Sequence, residues 1–199
     1  MKRILLMAIM IGTQFANAQE EIDTYEMSKF ETAPFIIQAD DPVNDEYRFY
    51  ILMQSLDASV DKGGIVLKSK YLEDFRVLLK ECQVKLNEWN EVATANGVED
   101  LKKDIPVSVK PKLMGFFSYG DWKFDRNVVL TPKYFRSSNE AYVILYTGEM
   151  ISADNEYIDA ENFVFAFDSD EITEFLEKLT TENVKSHYAK KASKEDLFK

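Results

Sequence analysis

Between Lys70 and Ala95 the apolar residues Leu72, Phe75, Leu79, Cys82, Leu86, Trp89 and Ala93 recur at alternating steps of three and four. In water such a stripe implies a helix of about seven turns that buries one face along its whole length. Glu73, Asp74, Lys80, Glu81, Lys85, Glu88 and Glu91 fall largely off the stripe and supply its solvated face. Ser69 is placed to cap the start, and Asn96-Gly97 offers the left-handed exit that a helix C-terminus favours. The seam covers only about three heptads, so the expected partner is the chain's own sheet rather than a second coiled-coil helix.

Strand-like segments precede this helix: Tyr47 to Gln54 and Gly64 to Lys68, joined across the polar stretch Asp57 to Gly63. Farther on, Leu113 to Tyr119, Trp122 to Leu130, Tyr142 to Thr147 and Phe163 to Phe167 read as strands, with Gly120-Asp121 and Ser137-Ser138-Asn139 as turns. A second helix starts near Ser169 and carries Ile172, Phe175, Leu176 and Leu179, behind an acidic stretch, Asp168 to Glu171, suited to a helix N-terminus. The two units align. Tyr47 to Leu52 matches Glu140 to Leu145, and Ile65 and Leu67 match Phe165 and Phe167. Ser69, Leu72, Phe75 and Leu79 then match Ser169, Ile172, Phe175 and Leu179 at one constant offset. The expected fold is α+β: antiparallel sheets each followed by a helix, as a duplicated ββββα unit forming a pseudo-dimer. The units are expected at 19–96 and 112–181, with a connector at 97–111 and a polar tail at 182–199.

Strands followed by one helix, twice over, resembles the PUR-type repeat, in which two such units interlock as a pseudo-dimer. The resemblance runs over Tyr47 to Lys85 and Trp122 to Leu179 and rests on hydrophobic spacing. It implies architecture alone. PUR-type domains bind nucleic acid through basic and aromatic sheet faces, whereas this chain has 24 Lys and Arg against 35 Asp and Glu, a net charge of −11. Nucleic acid is a poor partner for that field.

Met1-Lys2-Arg3 is a short positive start, Ile4 to Ile11 an apolar run, and Ala16-Asn17-Ala18 places small residues where a signal peptidase reads them. Residues 1–18 are therefore expected to be a signal peptide cleaved after Ala18, sending the protein to the periplasm or the exterior. The run is short of the roughly 20 residues that a bilayer span needs, so no membrane insertion is expected after cleavage. As a whole the chain resembles exported bacterial proteins of unassigned function, which implies compartment and nothing chemical. Cys82, the single cysteine, lies on the helical stripe between Leu79 and Leu86 and reads as a buried, inert thiol.

The single histidine, His187, lies in the polar tail, too little for a zinc site or a Ser-His-Asp triad. The sequence has no Gly-rich phosphate loop, no paired cysteines and no nucleophile elbow, so no catalytic residues and no cofactor are expected. Carboxylate pairs such as Asp121 with Asp125, or Asp159 with Glu161, leave two-carboxylate hydrolysis open. Asp154-Asn155-Glu156 with Asp159 and Glu161 offers oxygen ligands but not EF-hand spacing, and reads as a solvated loop. The richest aromatic stretch surrounds Tyr119, Trp122 and Phe124; Trp122 and Phe124 share one face of a strand. That face is either a stacking platform for a sugar or peptide, or the sheet face beneath the helices. The functional expectation is an exported, non-catalytic binding or interaction module with a protein or glycan partner at the cell envelope. The alternatives are an inhibitor or immunity-type protein that neutralises a basic partner, and an exported carboxylate-type hydrolase.

Overall fold

The computed structural model describes residues 19–26, 35–54, 62–110, 113–114, 116–118, 121–123, 129–148, 150–153, 155, 157, 159–160 and 164–196. The expected signal segment lies outside them. The first sheet is an antiparallel meander of β1 (Glu20–Tyr25), β2 (Phe35–Ala39), β3 (Arg48–Gln54) and β4 (Lys62–Lys68), extended beyond β4 by the short β6 (Leu113–Met114). A 3-10 turn at Ser69–Tyr71 leads from β4 into α1 (Leu72–Ala95). The second sheet runs β5 (Leu101–Asp104), β9 (Thr131–Ser137), β10 (Glu140–Tyr146), β13 (Val164–Phe167), again antiparallel and in chain order, and is followed by α2 (Ser169–Lys178). Four strands and then a helix thus occur twice, giving the α+β fold expected. Two hairpins sit between strands of the second unit: β7 (Phe116–Ser118) with β8 (Asp121–Lys123), and β11 (Met150–Ile151) with β12 (Asp159–Ala160).

Both helices cross to the other unit, and α2 also packs on its own sheet through Phe175, 5.1 Å from Phe167 on β13. α1, which follows the first sheet, lies against β9 and β10 of the second; Trp89 meets Tyr134 edge-on, with ring centroids 5.7 Å apart. α2, which follows the second sheet, reaches β1 and β2 of the first. Phe175 packs 5.3 Å from Tyr25 and 6.2 Å from Phe35, Tyr25 Oη donates to the Glu171 carbonyl at 3.2 Å, and Lys178 pairs with Asp23 at 2.9 Å. Gln83 on α1 donates to the Ser169 carbonyl and to Thr173 on α2, at 2.6 and 2.8 Å. The main apolar core joins the two units, and a smaller cluster of Tyr50, Leu52 and Val66 lies on the other face of the first sheet. Phe49, Ile51, Ile65 and Leu67 from the first sheet, Val143, Leu145, Phe165 and Phe167 from the second, and the α1 and α2 stripes are all buried within the main core. Such burial contributes roughly 1.5–3 kcal/mol for each large side chain.

The helix ends show how local sequence sets these elements. α1 closes on Gly97 at φ 64°, with Val98 N–H donating to Ala93 and Gly97 N–H to Thr94, the paired bonds of a Schellman motif. Asp168 caps α2 reciprocally with Glu171: each side chain accepts from the other's backbone N–H, at 2.9 and 2.8 Å. The expected cap at Ser69 is different in the structure. Ser69 opens the 3-10 turn, no side chain caps the start of α1, and the Ser69 hydroxyl instead accepts from Tyr47 N–H at 3.4 Å.

Two further segments differ from the sequence reading. The expected connector contains β5, which pairs with β9 through Leu101 opposite Arg136 and closes the second sheet. The expected polar tail is largely α3 (Thr181–Asp196), which docks on the first sheet by a buried Val184 and by Tyr188 Oη donating to the Ala39 carbonyl at 2.8 Å. His187 and Lys191 both contact Glu20 on β1. Among the described residues, no helix is long and apolar enough to cross a membrane.

Candidate functional site

The strand register brings three charges into one row at the end of the first sheet. Asp40 N–H donates to the Arg48 carbonyl at 3.1 Å, continuing the β2–β3 ladder, and Arg48 stands directly opposite Lys68 on β4. Their neighbours Phe49 and Leu67 point into the core, so Arg48 and Lys68 project from the other face. Two like charges directly opposite across an antiparallel pair are unfavourable unless an anion attends them. Asp40 attends one: Arg48 Nε donates to its Oδ2 at 2.6 Å, and the guanidinium lies 5.5 Å from the Tyr50 ring centroid. Burial works against the Arg48 charge, but the Asp40 carboxylate outweighs it and holds Arg48 above its ordinary pKa. Desolvation, with Asp40 beside it, also raises the Tyr50 phenol above its usual range.

This row borders a cleft of about 590 Å³, lined by Asp40, Asp41, Glu46, Arg48, Lys68 and Lys70, with Tyr47 and Ser69 between them. The volume falls within the roughly 300–1,000 Å³ of small-molecule sites. One wall is the β2–β3 hairpin, whose two-residue turn holds Asn44 and Asp45 at φ 53° and 63° between Val43 and Glu46. Both are residue types that tolerate the left-handed conformation of a tight hairpin turn. The other wall is the uncapped 3-10 turn that leads into α1. α3 braces the hairpin from behind, through Tyr47 Oη and Thr181 Oγ1 at 2.7 Å and Lys185 with Asp45 at 2.7 Å.

Asp40 is only 5% exposed, and its Oδ1 has no hydrogen-bond partner among the described residues. A buried carboxylate oxygen without a donor costs about 1–3 kcal/mol or more, which leaves the Arg48 pair as what holds the Asp40 charge in place. Lys68 makes no ion pair among the described residues. The cleft therefore presents cations and carboxylates side by side, Arg48 and Lys68 on strands, Asp40, Asp41 and Glu46 in the hairpin connection and Lys70 in the 3-10 turn. It can fix a ligand carrying both signs.

Of the residues singled out from sequence, those that are described lie elsewhere. Trp122 is on β8 opposite Phe117, in a two-stranded ladder separate from both main sheets. Tyr119 and Phe124 lie outside the described residues, as do Asp125 and Glu161 of the carboxylate pairs; Asp121 is on β8 and Asp159 on β12. Among the described residues no three His, Cys, Asp or Glu side chains gather as a metal site. Asn155, in the acidic loop, accepts the Tyr157 N–H at 3.0 Å as a local turn. Cys82 is fully buried, and desolvation, with a smaller contribution from Glu81, pushes its thiol up to about 12, so it carries no thiolate at neutral pH. Sequence reasoning missed the cleft because Asp40, Arg48 and Lys68 are far apart in the chain and meet only through strand register.

No family model matches the chain, and neither the curated proteins nor the solved structures contain a match.

Proposed function

We propose that the protein is an exported, non-catalytic binding module that uses the cleft between the β2–β3 hairpin and the start of α1 to hold a protein or glycan of the cell envelope. The Asp40–Arg48–Lys68 row carries this reading: Asp40 neutralises Arg48 alone, and Lys68, directly opposite Arg48, makes no ion pair among the described residues, at the mouth of a cleft of ligand size. Export rests on the leader-like residues 1–18, and the exported protein would start at Gln19 with a net charge of 22 − 35 = −13. Intact-mass measurement decides that point, since a species retaining Met1 to Ala18 contradicts it. The binding role is tested by affinity capture from the native envelope fraction with the wild type and Lys68→Glu. Lys68 is exposed, unpaired among the described residues and opposite Arg48, so the substitution does not lower the melting temperature and removes the captured partner. Equal capture by both proteins would take the cleft out of the function.

A further inference from the structure

The charge pattern of the cleft narrows what it holds. A simple anion satisfies Arg48, Lys68 and Lys70 but is repelled by Asp40, Asp41 and Glu46; a simple cation meets the reverse problem. A ligand suited to both has an anion and a hydrogen-bond-donating cation within a few ångströms of each other, because Asp40 and Arg48 are themselves in contact at 2.6 Å. We infer that the cleft takes the zwitterionic head of an α-amino acid, free in solution or displayed at the end of an envelope polymer. The inference rests on the binding role proposed above.

The geometry assigns the two ends. Arg48 spends Nε on Asp40, and its Nη1 and Nη2 hold no partner among the described residues; with the side chain 41% exposed, the fork is open to an α-carboxylate. Lys68, directly across the ladder, adds a second cation to the same carboxylate, and an anion there relieves the repulsion between the two side chains. The α-ammonium is left to the acidic wall, where Asp41 and Glu46 are exposed.

The probes are the free amino acids, each with its N-acetyl and C-amide derivatives, measured by calorimetry and thermal shift on the protein beginning at Gln19. The expected result is saturable binding of at least one free amino acid, weakened tenfold or more when either end is blocked. Lys68→Glu and Asp41→Asn each weaken it tenfold or more without lowering the melting temperature of the unliganded protein. No binding at 10 mM (~10 mM being near the weakest affinity such a site would show), equal binding of blocked derivatives, or equal binding of inorganic phosphate overturns the inference. Competition separates the two sources: if the bound amino acid displaces the captured envelope partner, the head group is polymer-borne, and if capture is indifferent to it, the ligand is the free molecule. A Lys68-dependent capture with no amino-acid binding overturns this inference and leaves the binding role standing.

Discussion

Arg136 and Tyr134 show at the level of single residues how a polar sequence can build a core. Arg136 is 2% exposed, yet its guanidinium donates to the Val98 carbonyl at 2.8 Å, to Asn139 at 3.1 Å and to Asn90. A cation just past the C-terminus of α1 also answers the negative end of that helix. Tyr134, two residues earlier and on the same face, is fully buried, and its hydroxyl has no hydrogen-bond partner among the described residues. The ring contributes area against Trp89 while the hydroxyl carries an uncompensated desolvation cost. Tyr134→Phe is therefore expected to raise stability by about 1 kcal/mol in urea unfolding, since it removes an unsatisfied buried donor and little packing. A loss of 1 kcal/mol or more would show that the hydroxyl is satisfied in solution.

At the scale of elements, legibility followed the strength of the local pattern. α1 was readable because its stripe is long; Leu72, Phe75, Leu79, Cys82 and Leu86 are all buried, as their spacing requires. β9 was not, because Pro132, Lys133 and Arg136 suggest a loop; only the satisfied guanidinium and the inward Tyr134 make it a central strand. β1 and β5 are edge strands rich in charge, and α3 is a mostly polar helix held by Val184 and Tyr188, so none carries a strong period. Two outcomes follow. Leu79→Asp places an unpaired charge in the core at a cost of several kcal/mol, comparable with the stability of the whole domain, and should abolish the cooperative melt. A wild-type melt for that variant would mean that the stripe faces solvent.

The docking of α3 should depend on acid. Hydrogen bonding from Lys191, then from His187, outweighs partial burial and holds the Glu20 carboxyl below its ordinary value of 4.5. A carboxyl whose pKa is lower folded than unfolded contributes stability above the unfolded value and loses it as pH falls through the folded one. Protection of the α3 amides in hydrogen exchange should therefore hold at pH 5–7 and weaken below about pH 4, and Glu20→Gln should flatten that dependence. Protection unchanged down to pH 3 would remove Glu20 from the docking.

For the whole molecule, the repeated strand order was legible while the exchange of helices was not, because hydrophobic spacing shows which face is buried and not against which sheet. The exchange joins the two units in the main core and places the start of α1 beside the β2–β3 hairpin, where the cleft forms. It leaves a direct chemical signature. Lys178 on α2 and Asp23 on β1 belong to different units, and their Nζ and Oδ1 lie 2.9 Å apart. Zero-length carbodiimide coupling of the monomeric protein, followed by peptide mapping, should yield an intramolecular Lys178–Asp23 amide. Recovery of that link only from dimers, or of links confined to each unit alone, would contradict the exchanged-helix fold.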